Sequence, residues 1–170
     1  MLIQTEIVRH SPIGEYKVIC RNAAAEDVEE LYSLIEEFAR LGIMLPRSRE
    51  ALISQINQFI IAEMDEDFIG CGSLFKLGPD LVEVRSIGLY AEGRGKGIGS
   101  MILGKLIEAA RGQRIPQVIA FTCEVDFFIR NGFTVVEKGL FPEKFKTDCV
   151  NCKRQLACNE IAMVKRIDEY

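Results

Sequence analysis

One stretch of the chain, residues 82–103, restricts the fold more than any other part of the sequence. Its first half alternates between two faces as a strand does, with Val82, Val84, Ser86 and Gly88 on one face and Glu83, Arg85, Ile87 and Leu89 on the other. A run rich in glycine, RGKGIGS, follows at positions 94–100. Helical spacing then begins at Ile98 and repeats at Ile102 and Leu106. The stretch is therefore predicted to form a strand, a glycine loop and a helix.

A glycine loop at the start of a helix has the chemistry of an anion site. Glycine has no Cβ, so its backbone can approach a ligand closely and adopt positive φ. The N–H groups of the first helical turn have no acceptor within the helix, and together with the helix dipole they favour phosphate. Arg94 and Lys96 add positive charge. We therefore expect the loop to bind a phosphate, against the alternative of a solvated turn.

The spacing of the glycines excludes two common phosphate loops. A P-loop ends in Gly-Lys-Ser/Thr, and no lysine follows Gly99. A dinucleotide-binding loop requires G-x-G-x-x-G, whereas Gly95, Gly97 and Gly99 are spaced G-x-G-x-G. The pattern that remains, R-x-x-G-x-G, begins at Arg94. In this pattern the chain resembles the GNAT superfamily of N-acetyltransferases, whose acyl-CoA pyrophosphate sits on this loop.

The resemblance implies that acetyl-CoA is the acetyl donor and that the strand and the loop hold it. The coenzyme-binding residues expected on this basis are Ile87, Gly88, Leu89, Arg94, Gly95, Lys96, Gly97, Ile98, Gly99, Ser100 and Phe128. No metal is expected to take part in catalysis.

The rest of the chain alternates between strand and helix signals in the order β-α-α-β-β-β-α-β-α-β-β, which is similar to that of the GNAT fold from end to end. We therefore expect an α/β (α+β) protein with a mixed central sheet flanked by helices. Residues 1–170 are predicted to form a single domain. Residues 1–15 form either an extra edge strand or a loose arm, and His10 within them is expected to be a surface residue.

Composition and charge narrow the class of partner. The 170 residues suffice for one domain with a real core, and no apolar run is long enough to span a bilayer. The net charge is −4, and lysine and arginine do not cluster densely enough for a nucleic-acid face. The N-terminus lacks the pattern of a signal peptide. We expect a cytoplasmic protein with a small amino-acid substrate and no nucleic-acid or membrane partner, and we allow for a homodimer.

The same resemblance implies roles in the acetylation of an amine. The amine must be neutral to attack, and a glutamate at the position of Glu83 is the general base in many family members. Backbone N–H groups of the strand stabilise the carbonyl oxygen as charge builds up. Phe128 replaces the tyrosine that usually serves as general acid, so either Thr122 or a water substitutes for it or the thiolate leaves without a dedicated acid. The alternative for Glu83 is a structural or exposed carboxylate.

Three stretches indicate a particular acceptor. Residues 45–50, 70–74 and 127–133 together resemble the acetyltransferase domain of N-acetylglutamate synthases, and residues 141–149 resemble the short, stand-alone form of these enzymes. The resemblance implies acetylation of L-glutamate for arginine biosynthesis. Two alternatives stay open: the same chemistry on another small amine or a protein N-terminus, and a non-catalytic acyl-CoA-binding module.

Glutamate has two carboxylates, for which arginine and lysine are suitable donors. The resemblance places Arg47 and Arg49 where family members gate the acceptor. Arg47 is the preferred carboxylate ligand, and its alternative is a solvated cation at a helix start. The further candidates are Arg85 and Ser86 on the central strand and Lys144 and, in particular, Lys146 on a late loop. Arg85 has the alternative of pairing with Glu83.

The six cysteines form two groups. Cys20, Cys71 and Cys123 lie in apolar, strand-like runs and are expected to be buried. The other three lie in a polar insertion at residues 141–158 and are Cys149, Cys152 and Cys158. Their C-x-x-C spacing fits half a zinc site or an ordinary hairpin loop. We expect the hairpin loop with reduced thiols, because no fourth ligand is obvious and the cytoplasm is reducing.

Overall fold

The computed structural model describes residues 4–11, 14–153 and 158–168. Within these residues the strands are β1 (Gln4–Ser11), β2 (Gly14–Asn22), β3 (Phe59–Met64), β4 (Asp67–Gly78), β5 (Leu81–Leu89), β6 (Gln117–Thr122), β7 (Thr134–Val136) and β8 (Ile161–Arg166). The α-helices are α1 (Val28–Arg40), α2 (Arg49–Ser54), α3 (Ile98–Gly112), α4 (Val125–Arg130) and α5 (Pro142–Thr147).

The described strands pair in the order β1-β2-β3-β4-β5-β6-β8-β7 and form a mixed, mostly antiparallel sheet that is flanked by helices. The fold class predicted from the sequence is therefore confirmed. The predicted elements occur in the predicted order, and the described structure adds two that the order did not include, strand β1 and helix α5. One strand is added at the N-terminus, where Arg9 of β1 lies opposite Tyr16 of β2 in an antiparallel pair. The described part of the N-terminal arm is thus an extra edge strand.

The chain divides into two compact units. The first comprises Met1–Ser73 and Arg85–Leu106, and the second comprises Leu74–Val84 and Ile107–Tyr170. Strands β4 and β5 contribute residues to both units. The single acetyltransferase domain expected from the sequence stays a prediction.

The core of the first unit forms around α1. The apolar spacing of this helix turns one stripe of side chains inward, and the buried members are Val28, Leu31, Leu34, Ile35 and Phe38. They pack in one cluster with Leu52 of α2 and with Phe59 and Cys71 of strands β3 and β4. Each fully buried Leu, Ile or Phe stabilises the fold by about 1.5–3 kcal/mol. The cluster therefore fixes α1 against the strands of its unit.

A charged network joins the start of α1 to two strands. Asp27 is buried and accepts two hydrogen bonds from the Arg21 guanidinium, at 2.8 and 2.9 Å, and a third from the Ala24 N–H at 2.7 Å. Arg21 also pairs with Glu63 of β3 at 2.9 Å. Burial raises the pKa of Asp27, but the hydrogen bonds from Arg21 and Ala24 outweigh it, so the net pKa lies below the usual value.

Asp27→Asn should therefore change the acid stability of the protein. A carboxyl whose pKa is lowered by folding adds stability above its unfolded pKa of about 3.9, and this stability is lost as the pH falls through the folded pKa. We expect the variant to lose about 1.5–3 kcal/mol at pH 7 and to show a smaller drop in stability on acidification. Urea unfolding at pH 7 and pH 3 measures both. Equal pH dependence of the two proteins would contradict this role of Asp27.

The second unit is organised by β6. This strand pairs in parallel with β5, with Leu81 opposite Gln117, and antiparallel with β8. The apolar residues buried between these strands and the segment before α5 are Leu81, Ile119, Phe141 and Ala162. Strand β7 pairs with the other side of β8.

The cysteines follow the prediction only in part. Cys20 and Cys71 are buried as expected, but Cys123 is exposed, because β6 ends one residue before it at Thr122. The hairpin loop expected for the insertion at 141–158 is wrong for its described part, which contains α5 and a 3₁₀ turn over Cys149–Asn151 and no paired strands. No helix among the described residues is long and apolar enough to cross a bilayer.

Candidate active site

The glycine loop has the backbone of a ligand-binding turn. After β5 the chain forms a 3₁₀ turn over Ala91–Gly93, and α3 begins at Ile98. Gly95 and Gly97 have φ values of +72° and +75°, which other residues rarely adopt. A Cβ on Gly95 would meet no atom within 4 Å. The loop is thus open at Gly95 and continues directly into the unpaired N–H groups of a helix start.

Two cations border this loop. Arg94 donates from Nε to the Leu89 carbonyl at 3.3 Å, and Lys96 donates from Nζ to the Glu92 carbonyl at 2.7 Å. Both hydrogen bonds go to neutral carbonyl groups, so they do not neutralise the positive charges of Arg94 and Lys96.

A cavity of about 730 Å³ lies beside the loop, lined by Ile7, Val8, Arg9, Tyr16, Gly95, Lys96 and Gly97. Backbone N–H groups, arginine and lysine are the donors that phosphate prefers, so these residues fit the phosphates of a coenzyme.

Strand β5 is irregular where it approaches the loop. Ser86 has φ of +50°, a left-handed conformation that is uncommon for a residue other than glycine. Side chains of β4 satisfy the carbonyl groups at this point: Ser73 Oγ donates to the Arg85 carbonyl at 3.0 Å, and Cys71 Sγ donates to the Ser86 carbonyl at 3.3 Å. Burial raises the pKa of Cys71 to about 12, and Arg47 opposes this shift in part. The Cys71 thiol therefore stays a hydrogen-bond donor at neutral pH.

Helix α1 packs closely on the end of β5. A Cβ on Gly88 would lie 2.6 Å from atoms of both Phe38 and Met44, so a larger residue there would require these side chains to move. The neighbouring Ile87 and Leu89 are half-buried. The packing fixes the backbone of residues 86–89, where the sequence predicts donors for the carbonyl oxygen.

Glu83 lies in the second unit and forms a buried ion pair. Its side chain is 3% exposed, and Lys144 Nζ of α5 lies 2.8 Å from Oε1 and 3.1 Å from Oε2. Lys144 also pairs with Asp148 at 3.0 Å and lies 5.3 Å from the centre of the Phe121 ring. Glu83 is therefore a structural counter-ion of Lys144, and its role as general base stays a prediction.

The other predicted catalytic and coenzyme residues of this unit are also placed. Thr122 Oγ1 accepts a hydrogen bond from the Glu124 N–H at 2.8 Å. Phe128 is 2% exposed and packs edge-on against Phe127 and Phe133, each with ring centres 5.1 Å away. Phe128 is a core residue of its unit, and contact of Phe128 with the coenzyme stays a prediction.

The predicted substrate residues differ in environment. Arg47 is half-buried, donates to Gln55 Oε1, and lies 6.0 Å from the centre of the Phe59 ring. It is thus partly enclosed, whereas a solvated cation would be fully exposed. Arg85 and Ser86 are half-buried on β5, and Lys146 is exposed on α5. The assignment of these four residues to the substrate site stays a prediction.

Sequence reasoning preferred the exposed Lys146 to the buried Lys144. A signal was present, because Phe141, Lys144 and Asp148 share the helical spacing of one face and Phe141 is buried. A lysine on a buried helix face either forms an ion pair or has a strongly shifted pKa. The position of Arg9 beside the glycine loop was also not predicted, because the sequence left open whether residues 1–15 form an edge strand or a loose arm.

In the described part of the chain, no group of three or more His, Cys, Asp or Glu side chains could hold a metal ion. Cys149 and Cys152 are half-buried and Cys158 is exposed. Burial raises the pKa of Cys149, against the effect of nearby Lys144.

The fold agrees with comparisons to known proteins. The model of the "Acetyltransferase (GNAT) family" matches residues 25–133, more than half of the chain. The chain belongs to the GNAT acetyltransferase family and is an acetyl-CoA-dependent acyltransferase.

The chain is also similar to individual proteins and to solved structures. The chain is 37% identical to an uncharacterised N-acetyltransferase of Chlorobaculum tepidum, over 86% of this chain and 95% of the relative. It is 32% identical to an amino-acid acetyltransferase of Mycobacterium tuberculosis, over 70% of each chain. The structure is similar to N-acetylglutamate synthase from Neisseria gonorrhoeae complexed with coenzyme A and N-acetyl-glutamate, with a TM-score of 0.77 and 26% identity. That match covers 89% of this chain and 35% of the other.

Proposed function

We propose that the protein transfers the acetyl group of acetyl-CoA to the amino group of L-glutamate. The observation that carries this proposal is the similarity to the Neisseria gonorrhoeae enzyme, whose structure contains both coenzyme A and N-acetyl-glutamate. The amino-acid acetyltransferase of Mycobacterium tuberculosis supports the same class of acceptor. The product would enter arginine biosynthesis, as the sequence predicts. The cytoplasmic location and the homodimer stay predictions.

The glycine loop binds the coenzyme in this proposal. Acetyl-CoA supplies a thioester whose acetyl group is activated for transfer. The N–H groups of residues 97–100 receive the phosphates at the start of α3, and Arg94 and Lys96 balance their charge. The backbone of residues 86–89 orients the donor, because α1 holds Gly88 in close contact with Phe38. These residues bind the coenzyme and position its acetyl group, and none of them takes up or gives a proton.

Glu83 removes the proton from the amine in the proposed reaction, directly or through water. Lys144 holds the carboxylate in a single orientation by contacting both of its oxygens. Asp148 keeps the Lys144 ammonium in place through a second ion pair. Lys144 is thus a positioning residue for the base. After the amine nitrogen bonds to the acetyl carbon, the carbon–sulfur bond breaks. Thr122 or a water then relays the second proton of the amine nitrogen to the departing thiolate.

Arg47 binds a carboxylate of glutamate in this proposal. Its guanidinium presents a planar set of donors that matches a carboxylate at two points. The Phe59 ring and Gln55 already restrict the side chain, so little conformational entropy is lost on binding. Arg85 and Ser86 on β5 and Lys146 on α5 are secondary candidates for the same ligand.

Arg47→Ala should raise the KM for glutamate by about 10- to 100-fold, the loss expected for one charge-assisted hydrogen-bond pair. The KM for acetyl-CoA should change little, because Arg47 acts on the acceptor. Arg49→Ala is the matched control, since Arg49 is engaged by Glu29 at 2.8 Å and by the Tyr32 ring at 3.8 Å. Steady-state kinetics with each substrate varied gives the result. Equal changes in both KM values would remove Arg47 from the acceptor site.

Thiol release from acetyl-CoA tests the function as a whole. The purified protein is incubated with acetyl-CoA and a panel of amino acids, polyamines and short peptides. Glutamate-dependent release supports the proposal. Release only with another amine would contradict glutamate as the acceptor, while the protein would still be an acetyltransferase. Tight binding of acetyl-CoA without release for any amine would favour a non-catalytic acyl-CoA-binding module.

A further inference from the structure

The N-terminal hairpin brings an arginine to the glycine loop. Arg9 lies on β1, opposite Tyr16 of β2. A Cβ built on Gly97 would lie 3.5 Å from Nη2, 3.7 Å from Nη1 and 3.8 Å from Cζ of Arg9. The guanidinium therefore rests on the face of Gly97 that has no side chain. Arg9 and Tyr16 also line the cavity of about 730 Å³ beside Gly95, Lys96 and Gly97.

The hydrogen bonding of Arg9 is incomplete. Among the described residues, its Nε is buried and has no hydrogen-bond partner. A buried donor without a partner lowers stability and therefore calls for an explanation, such as a bound anion. Among the described residues of this hairpin, Lys17 forms an ion pair with Glu6 at 3.0 Å, and Arg9 is not part of that pair. An anionic ligand in the cavity would satisfy both the charge and the donors of Arg9.

We propose that Arg9 binds a phosphate of the coenzyme, so that the extra N-terminal hairpin forms part of the coenzyme site. This inference rests on the proposed place of acetyl-CoA at the glycine loop. Coenzyme A offers two sources of phosphate, the diphosphate and the 3′-phosphate of its ribose. A guanidinium suits either, because its planar donors match two phosphate oxygens at once.

A ligand-binding arginine and a structural arginine differ in what their removal does to the stability of the protein without ligand. Removal of a structural arginine lowers the stability of the protein without ligand. Removal of Arg9 should leave that stability unchanged or raise it, because Nε has no partner to lose. It should instead reduce the rise in Tm that coenzyme A produces, since that rise depends on the affinity.

The experiment measures the Kd of coenzyme A and of 3′-dephospho-coenzyme A by calorimetry, with Tm recorded with and without each ligand. The variants are Arg9→Met, which keeps the apolar stem, Arg9→Lys, which keeps the charge, and Lys17→Met as a control. Lys17 lies on the same hairpin and its loss changes the net charge equally. We expect Arg9→Met to weaken coenzyme A binding by about 10- to 100-fold, Arg9→Lys by less, and Lys17→Met by about twofold or less.

The two ligands identify the phosphate. An equal loss with both assigns Arg9 to the diphosphate, and a loss confined to coenzyme A assigns it to the 3′-phosphate; each result supports the proposal. Arg9→Met with the affinity of Lys17→Met would overturn it while leaving the glycine loop as the coenzyme site. A lower Tm without ligand in both Arg9 variants, at unchanged affinity, would show a structural arginine. Failure of the wild-type protein to bind coenzyme A would overturn this inference together with the proposed function.

Discussion

Lys144→Met should lower the free energy of unfolding by about 3–5 kcal/mol, the loss expected when one partner of a buried ion pair is removed. Glu83 is 3% exposed, and the variant leaves its carboxylate buried without the ammonium that contacts both oxygens. Methionine retains most of the apolar stem next to Phe121, so loss of packing contributes little. Urea unfolding at pH 7 measures the change.

Lys146→Met provides the control for stability. Lys146 lies two residues further along α5 and is exposed, so its removal should change the free energy of unfolding by about 0.5 kcal/mol or less. The comparison holds the helix, the residue type and the change in net charge constant. Equal losses for the two variants would show that the pair between Glu83 and Lys144 does not stabilise the protein.

Glu83→Gln should lower kcat by about 10²- to 10⁴-fold, the usual contribution of a general base. The effect should be largest at neutral pH and below, where the amine is protonated and needs help to lose its proton. Glutamine is nearly isosteric, and Lys144 retains its pair with Asp148, so the fold should persist. Rates with saturating glutamate and acetyl-CoA across pH 6–9 provide the measurement.

Glu63→Gln is the matched control for this variant. Glu63 is also a strand glutamate in an ion pair, with Arg21 at 2.9 Å, and it has no proposed part in the reaction. Its replacement should change stability but not the pH–rate profile. If Glu83→Gln destabilised the protein and left kcat unchanged, Glu83 would be only the counter-ion of Lys144, and another group would have to accept the proton.

The glycine loop was predictable because its determinants are local. Strand alternation before Gly93, glycines at 95 and 97, and helical spacing from Ile98 all occur within one continuous stretch. The positive φ values of Gly95 and Gly97 then give the structural reason for these two glycines. The stripe on α1 was predictable for the same reason, since Val28, Leu31 and Ile35 follow the period of a single helix.

Features that depend on distant partners were not predictable in this way. Glu83 and Lys144 are 61 residues apart, and nothing in either segment specifies the other as its partner. The position of Arg9 depends on the pairing of β1 with β2 and on the approach of that hairpin to Gly97. Cys123 was predicted to be buried because β6 was expected to include it, and a strand end one residue earlier made it exposed.

The central claim is that the backbone N–H groups of the glycine loop bind the phosphates of the coenzyme. Titration of ¹⁵N-labelled protein with coenzyme A, followed by NMR, tests it directly. We expect the amide signals of residues 94–100 to show the largest shifts, and to saturate with the Kd found by calorimetry. Saturable binding that leaves these amides unmoved, while signals elsewhere in the chain shift, would contradict the account.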